Sequence, residues 1–164
     1  IEAWVYKAGL PDTARNPESD AFAMVEDRMG YWLDGKQDID TLKGVANKWS
    51  THEWLHFLNN LPETMTEVQF AQLDETFSLT GTQNAETAFA WYMQAIKRGY
   101  EPAYPDLEEF LMTVGRGKFI YRLYGALHNS DREDLQMWTA DIYEAARPGY
   151  HPIAQRRIDD ILAK

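Results

Sequence analysis

Apolar residues recur along this chain at the three-and-four spacing of helices, with no convincing run of strand-like alternation. After a short N-terminal segment closed by Gly9-Leu10-Pro11, Pro17 opens a helix predicted to carry Phe22, Val25, Met29, Trp32 and Leu33 inward. Ile39, Leu42, Val45, Ala46 and Trp49 keep the same spacing through a short second helix. Ser50 and Thr66 start the next two, each followed three positions later by Glu53 or Gln69, the pattern of a capping box. A longer helix is predicted over 82–98, with Ala88, Trp91, Tyr92 and Ala95 on one side and Lys97, Arg98 and Gly99 as a basic, glycine-capped end. Pro105 begins another, stopping at Gly115, and 117–128 buries Phe119, Ile120, Leu123 and Leu127. Ser130 with Glu133 is expected to cap the next helix, which carries Leu135, Trp138 and Ile142. Arg147-Pro148-Gly149 breaks it, and Pro152 starts the last.

About nine helices joined by short connections favour antiparallel neighbours and an all-α fold. Stacked helical pairs forming a solenoid are favoured over an irregular bundle, although no clean sequence repeat is visible. The chain has 164 residues, enough for one domain with a sizeable core, and 45% of them are hydrophobic, which favours a folded globule. It begins at Ile1 with no signal peptide and no bilayer-length apolar run, so a soluble processed product or excised domain is expected, cytoplasmic or periplasmic. With no cysteine there are no disulfides, thiolate metal sites or Cys–His pairs. A net charge of −10 opposes phosphate backbones, so neither nucleic acid nor membrane is expected as a partner. No glycine-rich phosphate loop or Gly-x-Ser-x-Gly elbow occurs.

His52-Glu53-Trp54-Leu55-His56 has the form of a zinc-protease motif, and Glu75, after eighteen intervening residues, stands where a third ligand would. Helical geometry makes it a decoy. Trp54, Leu55, Phe57, Leu58 and Leu61 form an apolar stripe, and both histidines fall roughly 180° from its centre. Glu53 belongs to the Ser50 capping box, and Glu75 points about 165° from the face marked by Phe70, Leu73 and Phe77. All are expected to face water, whereas a catalytic zinc needs convergent ligands in a shielded cleft. His151, before Pro152, is expected to be a turn or cap residue.

Val114-Gly115-Arg116-Gly117-Lys118-Phe119-Ile120 is harder to assign to folding alone. Cations at a helix N-terminus are unfavourable unless an anion lies nearby, and free N–H groups, a guanidinium and an ammonium together form a carboxylate receptor. Gly115 and Gly117 would allow a ligand or another backbone to approach closely. The alternative is two solvated cations flanking a turn, or cations balancing Glu108 and Glu109.

Several segments together resemble the C-terminal helical domain of the leukotriene-A(4) hydrolase and zinc aminopeptidase family. They are Gly9-Leu10-Pro11, Trp49-Ser50 leading to Phe57-Leu58, Asn84-Ala85-Glu86 before Trp91, Gly115-Arg116-Gly117-Lys118-Phe119 before Leu123-Tyr124, and Tyr150-His151-Pro152. The resemblance covers essentially the whole chain in the family's order. It implies a right-handed α-α superhelix of the ARM/HEAT type, spanning 1–164 as the C-terminal domain of a larger metallopeptidase. It also implies that zinc and the catalytic residues belong to the parent's catalytic domain, none being expected here. Arg116 and Lys118 match the family's pair that recognises a substrate carboxylate. The pattern departs at Gly117, where a larger residue such as Met is common, and at Tyr121-Arg122, where Arg-Pro is often found. The expected partners are the catalytic and N-terminal domains of the same polypeptide and short peptide substrates. Two rivals stand beside this reading: a self-contained zinc protease using His52, Glu53, His56 and Glu75, and a helical-repeat interaction module.

Overall fold

The computed structural model describes residues 20–163, which form nine α-helices and two short 3₁₀ turns, with no strand among them. The helices are α1 (Ala21–Leu33), α2 (Ile39–Ala46), α3 (Thr51–Asn59), α4 (Glu67–Phe77), α5 (Ala85–Arg98), α6 (Tyr104–Thr113), α7 (Gly117–His128), α8 (Glu133–Ala146) and α9 (Pro152–Leu162). Gly9-Leu10-Pro11 and Pro17 lie outside the described residues.

Helix boundaries follow local chemistry. Ser50 accepts from the Glu53 N–H while the Glu53 carboxylate takes both the Ser50 N–H and hydroxyl, at 2.8 and 2.6 Å. Thr66 and Gln69 repeat that reciprocal box for α4. Gly99 ends α5 in the left-handed conformation, φ +66°, which glycine adopts without a Cβ penalty. His151 caps α9, its Nδ1 accepting from the Ile153 N–H at 3.2 Å.

Two boundaries depart from expectation. The fifth helix begins at Ala85, because Asn84 takes the N–H groups of Glu86 and Thr87 and the preceding loop turns through left-handed backbone at Ser78 and Gly81. The expected cap of α8 by Ser130 does not form. Ser130 instead accepts from the Arg132 N–H, and Arg132 occupies the cap position with its guanidinium on Glu101 and Asp134.

Packing alternates along the chain. α1, α3, α5, α7 and α9 lie side by side in one layer, each against the next. The even-numbered helices form a second layer, in which α2 packs on α4 and α6 on α8. Neighbours two elements apart thus share a layer, as in a helical solenoid. Between the layers lie Phe57, Leu58, Phe70, Leu73, Trp91, Leu107, Leu111, Phe119, Ile120 and Tyr124, all essentially inaccessible to solvent. Phe22 is an exception to the predicted inward face of α1: it is 46% exposed, while Val25 and Trp32 are buried.

Tyrosines tie the C-terminal helices together. The Tyr150 hydroxyl donates to the Leu111 carbonyl and lies 3.2 Å from the Tyr124 hydroxyl, and the single Tyr143 O–H is shared between the Gln155 carbonyl and Asp159. Burial pushes Tyr92, Tyr100 and Tyr143 up to about 12, and raises Tyr104, Tyr124 and Tyr150 as well. A folded-state value above the unfolded one means stability fully present below pH about 10 and lost as pH rises through about 12. Tyrosinate absorbance and helical circular dichroism should therefore change together on alkaline titration. Tyrosines ionising near pH 10 with helicity intact would contradict this.

Candidate functional site

Each apparent metal ligand is engaged elsewhere or stands apart. Glu53 is held by Ser50, whose hydroxyl and N–H keep its carboxyl below the usual carboxylate range. His52 and Glu75 are exposed on different helices, α3 and α4. His56 does not face water as expected. Its ring stacks on Phe22 at 4.4 Å, 7° from coplanar, and its Nε2 lies 2.7 Å from Glu26 Oε1. The apolar stripe of α3 shows only one buried face, yet a helix in mid-layer has a neighbour on each flank. Here α1 covers the histidine. Among the described residues no group of three or more His, Asp or Glu is placed to hold a metal ion, so the motif has zinc's donor types without their convergence.

The Arg116–Lys118 segment is brought to a carboxylate, though neither Glu108 nor Glu109 supplies it. Asn84 fixes the first turn of α5 and places Glu86 there, beside the start of α7 in the same layer. Lys118 Nζ donates to both Glu86 oxygens, at 2.6 and 2.7 Å. Arg116 Nη1 lies 3.6 Å from Glu86 Oε1, an ionic contact too long for a hydrogen bond. One anion near two helix N-termini thus offsets the adverse placement of cations on a positive dipole end. The Arg116 and Lys118 side chains are 63% and 52% exposed, against 29% for Glu86.

Aromatic rings support the cations. The Arg116 guanidinium and Lys118 ammonium lie 5.2 and 5.4 Å from the centroid of Phe119. Arg122, one turn beyond Lys118, lies 4.9 Å over Phe89, whose ring packs 5.3 Å from that of Phe119. Glu86 and Arg122 are the site residues sequence reasoning missed. The i+4 spacing of Lys118 and Arg122 was available; the Glu86 pairing, 32 residues away, was not.

The two glycines differ in what surrounds them. A Cβ at Gly117 would lie 2.6–2.8 Å from the ring of Tyr121, so the close approach there is made by this chain's own side chain. A Cβ at Gly115 would meet only Tyr150, at an ordinary 3.9 Å. A hollow of about 220 Å³ opens beside Ala85 and Val114, walled by Tyr92, Asp106 and Glu109. A larger cavity, about 850 Å³, lies at the other end of α5, between Met65, Phe70, Arg98 and Tyr100. At 1.5 Å per residue, that is roughly 18 Å along α5 from Glu86, so size alone does not locate the site. The seam thus holds two cations, the Glu86 carboxylate between them and the apolar rings beneath.

Residues 49–162 match the family described as leukotriene A4 hydrolase, C-terminal. Leucine aminopeptidase 2 of Chaetomium globosum is 31% identical over 126 residues, covering 75% of this chain and 20% of that protein. Aminopeptidase B of Mus musculus is 23% identical over 171 residues, covering 99% of this chain and 26% of its own. A solved structure of yeast LTA4 hydrolase in complex with bestatin superposes with a TM-score of 0.66 at 21% identity, over 99% of this chain and 29% of that one, and so shares the fold. The chain thus spans a fifth to a quarter of these curated relatives, at 20% and 26% of their lengths. With the match running through both the Ser50 cap and the Arg116–Lys118 seam, the chain belongs to the leukotriene A4 hydrolase C-terminal family.

Proposed function

We propose that these residues are the C-terminal, non-catalytic domain of a zinc aminopeptidase that removes N-terminal residues from short peptides. The domain walls the far end of the substrate cleft, and Arg116 and Lys118 hold the peptide's terminal carboxylate. What supports this reading is one observation: two exposed cations at the start of α7 already converge on a carboxylate, that of Glu86. An ammonium and a guanidinium above aromatic rings form charge-assisted contacts to such a group, the guanidinium in a geometry suited to two parallel bonds. Holding the far end of a short peptide fixes where its reacting end lies. Zinc belongs, in this reading, to the catalytic part of the parent polypeptide. The names of the relatives, leucine aminopeptidase 2 and aminopeptidase B, support the reaction class.

The test compares Leu-Gly-Gly with its C-terminal amide on the full-length polypeptide. The free acid should be cleaved with the higher kcat/KM, and zinc should copurify with the full-length protein. The 164-residue chain alone should hold no zinc and cleave neither peptide. Equal efficiency on acid and amide would remove the carboxylate role, and one tightly held zinc on the isolated chain would restore the His52–His56 protease.

A further inference from the structure

We propose that Glu86 is a specificity-determining residue: an internal carboxylate that competes with the substrate's own for Lys118 and so sets how loosely the site holds a peptide. The inference rests on the carboxylate-binding role proposed above. An ammonium has three N–H donors, and Lys118 directs its contacts to both oxygens of Glu86, at 2.6 and 2.7 Å. Arg116 makes no side-chain hydrogen bond among the described residues; it has the 3.6 Å ionic contact with Glu86 and the Phe119 ring 5.2 Å from its guanidinium. The two cations are therefore not equivalent. An incoming carboxylate meets in Arg116 a guanidinium whose only anionic neighbour among the described residues, Glu86, lies at 3.6 Å, beyond hydrogen-bond range, but it can engage Lys118 only by sharing it with Glu86.

Glu86 is poorly placed to withdraw. It lies in the first turn of α5, where the helix N-terminus favours its charge and the Asn84 cap fixes the backbone. It is also the least exposed of the three, at 29%. A substrate carboxylate bound by Arg116 and Lys118 thus lies close to a fixed like charge, which weakens its hold. Arg122 is parked over Phe89 without a carboxylate partner among the described residues and does not relieve that repulsion. A site built this way holds the substrate's carboxylate more loosely throughout the reaction, which raises KM and leaves kcat unchanged.

The experiment uses the full-length polypeptide with Leu-Gly-Gly and its amide. Glu86→Gln removes the charge and keeps the shape. It should lower KM for the free acid about fivefold, equivalent to about 1 kcal/mol at 1.4 kcal/mol per tenfold. KM for the amide and kcat for both should not move. Glu86→Ala should reproduce the shift, and Glu86→Asp, which restores the charge, should return KM toward that of the parent. A purely structural role for Glu86 would move acid and amide together. The proposal is overturned if KM for the acid stays fixed or rises in both neutral variants, or if the amide follows it. Failure of the underlying reading is visible separately: Arg116→Ala would then impair acid and amide equally, whatever Glu86→Gln does. If Arg116→Ala discriminates between them and the Glu86 variants do not, only the competition is lost.

Discussion

Replacing Trp91 with alanine is expected to destabilise the domain by about 3–5 kcal/mol, the range for deleting a fully buried large aromatic. The ring is inaccessible to solvent and stacks on Phe70 at 4.2 Å, 11° from parallel, with Tyr100 edge-on at 5.9 Å. Its loss would open a void at the contact between α4 and α5. A second loss compounds the first. The indole N–H donates to Thr80 Oγ1 at 2.9 Å, and Thr80 in turn donates through its backbone and hydroxyl to Asp74, at 2.7 and 2.8 Å. Tyr100 donates to the same carboxylate. Trp91 therefore anchors the turn between α4 and α5, where Ser78 and Gly81 hold positive φ. Urea unfolding at fixed pH measures the effect, and Trp91→Phe, which keeps a ring but not the donor, should cost less. A change below about 1 kcal/mol for Trp91→Ala, the level of an ordinary substitution, would show that the site collapses freely.

Arg116→Ala is expected to leave stability nearly unchanged and to damage recognition of a free carboxylate. A side chain 63% exposed with one long ion pair contributes little to folding. A hydrogen bond to a charged group is worth about 1.5–3 kcal/mol when removed from a bound partner, or about 10- to 100-fold in kcat/KM. That loss should appear on tripeptides with a free carboxylate and be largely absent on their amides. Because the comparison is a ratio of efficiencies on one variant, it isolates transition-state binding to the substrate's end from any general damage. Equal losses on both substrates would assign Arg116 to the architecture of the seam.

What could be read from the chain follows the distance over which each interaction acts. Ser50 with Glu53, Thr66 with Gln69 and the left-handed Gly99 are set within a few residues, and all three were legible. The cation pair was legible as an unsatisfied electrostatic demand: Arg116 and Lys118 at a positive helix end require an anion. Its identity was not, because Glu86 is fixed by the packing of α5 on α7. His56 failed for the same reason. Its partners Phe22 and Glu26 lie on α1, about thirty residues upstream, and a single-helix projection assigns that face to solvent. Ser130 failed because Arg132, drawn to Glu101 and Asp134, took the position at which the cap would form.

The ring of Tyr121 resting where a side chain at 117 would begin makes those two positions a single unit of change. Any side chain at 117 would leave no room for a phenol one turn later in the rotamer seen here. Exchanging position 117 alone would force the ring out of its place, whereas exchanging both positions would remove the clash.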